Sequence, residues 1–572
     1  MKRIYHFLPA FIALYTFSFT ANLNARGVLF KNATVIDGTG AKAYRAHLMT
    51  DGNLIVGIGA ALKESAGTKV IDADGLVLCP GFIDMHSHLD FQLPSQPGAE
   101  NYIRQGVTTV VAGNCGFALA PQGEKASSLT SYLAVLGVED KKYHFPRMAD
   151  YFAHLRKKGI AVNLVQLAPH GMIREAAMKD PEGKPSAGEM ERMRDLLKKA
   201  MEDGAWGMST GLAYPPGRGA SLDELVDLMS VAMPYGGIYC THMRDESAKL
   251  PEAVREALSI GERAGVPVQI SHLKIFGSTG HSPGDILFML EEARRRGVDV
   301  LADVYPYNAS STSLSAIMLP PWLCEEGGIA RAVGSLKDPV TRAKAKDYMD
   351  RRLLDFAPKR GIARLIPDRI FLWLVKWVMG RKNMLIGVHG HPEYDGKTFR
   401  EIMKQNNYKG DIIDFGMDLL IETKHDVAVI SVMMKEKHVR AFMASPLTVF
   451  GSDGMGVVEG GQHPRSFGTF PRILGYYARD EKLFTLEEAV HKMTGMTARR
   501  LGLRDQGVLR EGAAADLVLF DPVRVRDTAT FAAPKSNPEG IHLIMVNGEI
   551  ALEGGAPTGR KAGRVLKRGN VF

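Results

Sequence analysis

Between residues 107 and 453 the chain repeats one pattern, a short and nearly continuous apolar run followed by an amphipathic stretch. The runs are VTTVVAG (107–113), AVNLVQLA (161–168), GGIYCTH (236–242), VPVQISH (266–272), VDVLADVYPY (298–307) and PLTVFGSD (446–453). Strands that are apolar along their whole length are covered on both faces, and strands separated by helices pair in parallel. So many such units in one chain predict an α/β fold, a (β/α)8 barrel of the TIM type. The intervening segments support this. SAGEMERMRDLLKKAMEDGA opens at Ser186 with Glu189 placed for a capping box, and ESAKLPEAVREALSIGERAG is amphipathic at helical spacing.

The two ends have a different texture. VLFKNATVID, HLMTDGNLIVGIG and TKVIDADGLVLC near the start are β-rich, and so are ADLVLFDP and IHLIMVNGEIALEGG near the finish. The expected organisation is a β-sandwich built from residues 26–80 and 501–572 around a barrel at 81–500. At 572 residues the chain is too long for one small core, and its 45% hydrophobic and 23% charged residues exclude a disordered or fibrous protein. Residues from about 322 to 425 break the rhythm and read as an inserted lid. Its apolar run Phe371 to Met379 reads as a helix packed inside the insertion, with contact to a membrane or an apolar substrate as the other reading.

The net charge of +8 is spread thinly, apart from a basic tail at Arg560 to Arg568 expected to be solvated, and no nucleic-acid motif accompanies it. Cys79, Cys115, Cys240 and Cys324 are too few for a disulfide framework. Residues 1–25 read as an export signal, with Lys2 and Arg3 before the apolar stretch Ile4 to Phe19, although the cleavage site near Ala21 or Ala25 is poor. The expected location is periplasmic, or cytoplasmic if this segment is not a working signal. No other run has the ~18 apolar residues that a membrane span needs.

The chemistry lies at the ends of the apolar runs. In Asp84-Met85-His86-Ser87-His88, two imidazoles two residues apart on a strand face the same side. Cys115, His242, His272 and Asp453 each end a different predicted strand. Strand ends converge on the catalytic face of a barrel. Zinc takes thiolate and imidazole together, and one Cys with two His leaves a coordination position open. Asp453 is the carboxylate able to move a proton between water and a leaving amine.

Together the segments GFIDMHSHLD, GNCGFALAP, STGLAYPPG, YCTHMRDE, VQISHLK, ADVYPY, GSDG and GQHPRSFGTFPRIL resemble the N-acyl-D-amino-acid deacylase (D-aminoacylase) branch of the amidohydrolase superfamily. The resemblance runs from about residue 28 to the C-terminus, and it carries several expectations. The activity is zinc-dependent hydrolysis of the amide of N-acyl-D-amino acids. Cys115, His242 and His272 hold a tight zinc, with Cys115 where many amidohydrolases use a carboxylated lysine. His86, His88 and Asp453 form a weaker second site, and Asp453 is general base and acid. Lys274, Tyr305 and Arg465 hold the substrate carboxylate. The run 371–379 departs from the family pattern.

Three motifs are decoys. Gly207-Met208-Ser209-Thr210-Gly211 matches a serine-nucleophile elbow, but such an elbow must open a helix, and Pro215 and Pro216 follow instead. Gly38 to Ala43 fits a loose dinucleotide fingerprint, but the sequence continues as β. His389-Gly390-His391 lies in the insertion, away from any strand-end partner. Two rival functions are a cyclic-amide hydrolase of the hydantoinase or dihydroorotase kind and a metal-binding barrel without catalysis. The cysteine and the carboxylate clamp argue against the first, and Asp453 argues against the second.

Overall fold

The structure, a computed structural model, describes residues 27–64, 67–123, 143–324, 328–388, 390–423 and 427–568, so the expected export signal lies outside the described residues. Eight parallel strands form the barrel. In chain order they are β1 (Phe82–Asp84), β2 (Val107–Ala112), β3 (Asn163–Gln166, continued by Ala168–Pro169), β4 (Gly207–Gly211), β5 (Ile238–His242), β6 (Val268–Ile270), β7 (Val300–Val304) and β8 (Thr448–Phe450). β1 to β3 pair in order and β3 continues through to β8. The ring closes where Met85 N–H donates to Phe450 O (3.2 Å) and Asp453 N–H to His86 O (2.7 Å). The first of the expected helices begins at Ser186 with both halves of the capping box formed, and the other spans Leu250–Ala264.

The ends of the chain meet in one nine-stranded sheet, where Leu517–Phe520 pairs antiparallel with Val77–Pro80. Phe30, Leu48, Leu78, Leu519 and Met545 fill a core there separate from the barrel's. The basic tail departs from expectation, because it is docked. Leu164 N–H donates to Arg564 O and Leu566 N–H to Leu164 O (2.8 Å each), so Val565 runs as a short extra strand beside β3. Leu566 O also accepts from the Trp206 indole (3.0 Å), and the Arg568 guanidinium lies over the Trp206 ring. Backbone pairing and aromatic packing hold the tail despite its charge.

The insertion lies between β7 and β8 and extends further than residues 322–425. Ser310–Ser313 and Asn383–Ile386 flank Ala428–Ser431 in a three-stranded antiparallel sheet, with helices packed on a core that includes Met349, Phe399 and Leu420. It leaves the barrel at the C-terminal end of β7, the face where the site lies. Its apolar run falls in the helix Asp368–Lys382, which buries Val375 and Met379 but leaves Ile370, Trp373, Leu374 and Val378 exposed. The expectation of a helix packed inside the insertion holds for one face only. Among the described residues no helix is long and apolar enough to cross a membrane.

Candidate metal centre

Three strand ends carry the donors in strained backbone. Cys115 (φ 55°), His272 (φ 36°) and Asp453 (φ 51°) adopt the left-handed region that side chains avoid. Each such residue costs roughly 1–3 kcal/mol and persists only where its surroundings enforce it.

Hydrogen bonds and close backbone packing enforce all three. Around Cys115, Asn114 Nδ2 donates to Val111 O (3.0 Å). Gly116 N–H donates to Ser209 Oγ (3.1 Å), and Ser209 Oγ donates in turn to Gly113 O. A Cβ on Gly211 would lie 2.2 Å from Cys115 O, so the loop presses against β4 where no side chain fits. His272 N–H donates to Asp303 Oδ1 (2.7 Å), and Gln269 Nε2 holds the other oxygen of that carboxylate (2.9 Å). Beside Asp453, Asp84 accepts from the N–H and hydroxyl of Ser452 and from His86 N–H, tying β1 to the segment after β8. Burial pushes the Asp84 carboxyl up to about 7 against those hydrogen bonds.

The donors converge. Cys115 Sγ lies 3.5 Å from His86 Nε2, 3.8 Å from His242 Nδ1 and 3.6 Å from His272 Nε2. Asp453 Oδ1 lies 3.2 Å from His88 Nε2 and 3.6 Å from His86 Nε2, while its Oδ2 pairs with Arg465 Nη1 (2.8 Å). His86, Cys115 and His272 form one compact donor group, His86, His88 and Asp453 a second, and His242, Glu246 and His272 a third. His86 therefore belongs to both of the first two groups, and His242 sits between Cys115 and Glu246.

Burial would raise the Cys115 thiol, but the charge of His86 and hydrogen bonds from His242, His272 and His86 hold it well below its ordinary value, as a thiolate. Burial likewise opposes ionisation of Asp453, and Arg465 first, then His88, keeps it well below the usual carboxylate range.

The three residues expected at the substrate carboxylate also meet. Arg465 lies 5.1 Å and Lys274 Nζ 5.9 Å from the centre of the Tyr305 ring. The Tyr305 hydroxyl is buried without a hydrogen-bond partner among the described residues. Lys274 is already engaged, donating to Glu246 Oε1 (2.6 Å), with His272 Nδ1 2.8 Å away, and it has further N–H groups for another acceptor.

The sequence reading passed over two carboxylates. Glu246 accepts from Lys274 and contacts His272 Nδ1 (2.9 Å), and Asp303 positions His272 through its backbone. Their only sequence signals were their places in YCTHMRDE and ADVYPY. Ser209 is committed to the Cys115 loop and opens no helix. His391 pairs with Glu393 and Glu422 at 3.0 and 3.2 Å, and His389 lies outside the described residues.

A closed parallel barrel with imidazoles, a thiolate and a carboxylate at its C-terminal face defines an amidohydrolase-type site. The Amidohydrolase family pattern matches residues 69–349 and 413–552, and the chain belongs to that family. A D-aminoacylase of Alcaligenes xylosoxydans xylosoxydans is 36% identical over 548 residues, covering 95% of this chain and 97% of the relative. An N-acyl-D-aspartate deacylase of the same organism is 34% identical, covering 95% of each. The solved N-acyl-D-glutamate deacylase of Bordetella bronchiseptica, complexed with zinc and a phosphonate mimic of the tetrahedral intermediate, matches with a TM-score of 0.77 at 32% identity, over 94% of this chain and 99% of that one. Within the family the chain falls in the D-aminoacylase branch.

Proposed function

We propose that the protein hydrolyses the amide of N-acyl-D-amino acids to a carboxylate and a free D-amino acid, with zinc as its metal. The observation that carries this is the buried Cys115 thiolate facing three imidazole nitrogens at 3.5–3.8 Å, with the Asp453 carboxylate 3.6 Å from the same His86 Nε2. Zinc bonds of about 2.3 Å to sulfur and about 2.0–2.1 Å to nitrogen, at tetrahedral angles, separate the two donor types by about 3.6 Å. The donor set therefore fits zinc. Cys115, His242 and His272 would hold the tighter ion, with His86, His88 and Asp453 as a weaker second site. Zinc bound there supplies a Lewis acid and lowers the pKa of water to near ~7.

The protein's own groups do the rest. Asp453 Oδ1 accepts a proton from the attacking water as the C–O bond forms and returns it to the amide nitrogen as the C–N bond breaks. Arg465, the hydroxyl of Tyr305 and the ammonium of Lys274 bind the substrate's α-carboxylate, since guanidinium and ammonium suit a carboxylate anion. Arg465 also pairs with Asp453, so the group that anchors the substrate stands beside the base. The preference for D-amino acids rests on the relatives' activities. Export to the periplasm rests on the sequence of residues 1–25 alone, and N-terminal sequencing of the fractionated protein tests it.

Zinc-loaded protein incubated with N-acetyl-D- and N-acetyl-L-amino acids and with hydantoins, with free amine assayed, tests the activity. Amine release from the D series supports the proposal. Turnover of hydantoins alone would replace it with cyclic-amide hydrolysis, and no turnover with metal bound would leave a binding protein.

A further inference from the structure

The insertion carries a feature that catalysis does not use. On the helix Asp368–Lys382, Ile370, Trp373, Leu374 and Val378 recur at helical spacing on one face, and the opposite face, with Val375 and Met379, packs on the insertion's core. Trp373 is 62% exposed, and Ile362 and Leu365 in the turn just before the helix are each 84% exposed. Soluble proteins seldom leave large apolar side chains clustered in this way without a use for them.

Charge says what the face meets. Residues 359–382 contain seven Lys or Arg against one Asp, a net charge of +6, while the whole 572-residue chain carries +8. Lys376 turns inward to Asp350 (2.5 Å) and Asp411 (2.7 Å), but Arg364, Arg369, Arg381 and Lys382 are exposed around the apolar stripe. Arg381 stacks on the Trp377 ring at 3.8 Å, at the C-terminal end of the stripe. Exposed Trp, Leu and Ile bordered by Arg and Lys match the interface of an anionic bilayer, where the rings sit among the headgroups and the cations meet lipid phosphates. A protein partner would leave the concentration of positive charge unexplained. The helix falls within residues 350–412, outside the segments that the family pattern matches.

We propose that this face of the insertion, formed by the helix Asp368–Lys382 and the turn before it, docks the enzyme on anionic phospholipid membranes. The insertion rises from the catalytic face, where Tyr214 and Thr312 hydroxyls meet at 3.2 Å and Phe356 packs on Phe276 (5.3 Å between ring centres), two residues beyond Lys274.

The test uses the full-length, zinc-loaded enzyme with vesicles of phosphatidylcholine alone or mixed with phosphatidylglycerol. Acyl-brominated phosphatidylcholine serves as a quencher of tryptophan fluorescence. Residues 4–19 are apolar, so vesicle binding alone would not identify the contact, whereas quenching that depends on Trp373 reads the helix directly. Quenching is expected on vesicles containing phosphatidylglycerol, with most of it lost in Trp373→Phe. The combined substitution of Arg364, Arg369, Arg381 and Lys382 by Gln should weaken this contact by about 100-fold or more. Hydrolysis of a soluble substrate should be unchanged in both variants. Absence of Trp373-dependent quenching would overturn the proposal. Equal contact with phosphatidylcholine alone would overturn its anionic component. A dimer lost in Leu374→Ser, without vesicle contact, would assign the face to a second copy of the chain.

Discussion

The thiolate sulfur of Cys115 and Nε2 of His272 lie 3.6 Å apart although 157 residues separate them. The ends of β2 and β6 face each other across the barrel mouth, and both residues hold a left-handed backbone that turns their side chains inward. The contact follows from topology together with two local strains, and neither alone would produce it.

Cys115→Ala should therefore remove the site's strongest metal donor without disturbing the barrel. Zinc per chain, measured by atomic emission after gel filtration, is expected to fall below half of the wild-type value, with activity falling in parallel. Full zinc content in the variant would exclude Cys115 as a ligand.

Asp453 Oδ1 approaches the His86 Nε2 that Cys115 also faces, at 3.6 Å, but it belongs to a different donor group from the thiolate. Asp453→Ala should keep the zinc held at Cys115 while kcat drops roughly 10²- to 10⁴-fold, the range for loss of a general base. Metal analysis and kinetics on one preparation separate the two effects. A rate near wild type would remove Asp453 from its role.

Glu246 joins Lys274 to Nδ1 of His272. Carboxylates that hold the outer nitrogen of a ligating histidine fix its orientation, and their loss typically costs ~10- to 100-fold in metal affinity or activity. Glu246→Gln should show a loss of that size in competition with a chelator. An unchanged zinc affinity would make the Glu246 contact incidental.

Glu246 also marks the limit of what the sequence conveys. His86, His88, Cys115, His242, His272 and Asp453 were legible because they end apolar runs, and the barrel makes strand ends converge. A glutamate in a polar loop looks like any solvated residue, and its burial arises only when β5 and β6 are side by side. The insertion was read too short for a similar reason. Its first strand, Ser310–Ser313, is polar and half-buried, so it has no apolar alternation to reveal it. The docked tail was missed because backbone hydrogen bonds hold Val565 beside β3, and those leave no trace in side-chain composition.

A last prediction concerns the junction where the chain ends meet the barrel. Asp516 accepts from Asn547 N–H (2.6 Å), Asn163 Nδ2 (2.9 Å) and Gln506 Nε2 (3.3 Å). Burial nevertheless pushes its carboxyl up to about 6, against those hydrogen bonds and the charge of Arg564. An unfolded aspartate titrates near ~3.9, so between these values the folded protein binds the extra proton. The stability this proton contributes is complete below about 4 and is lost as pH rises through about 6, on the order of 3 kcal/mol in all. Asp516→Asn places an amide nitrogen near donors and so carries a constant penalty, but it removes the titration. The difference in Tm between variant and wild type should therefore be more favourable to the variant at pH 7 than at pH 4.5. The same difference at both pH values would show that Asp516 stays ionised, with its three donors outweighing burial.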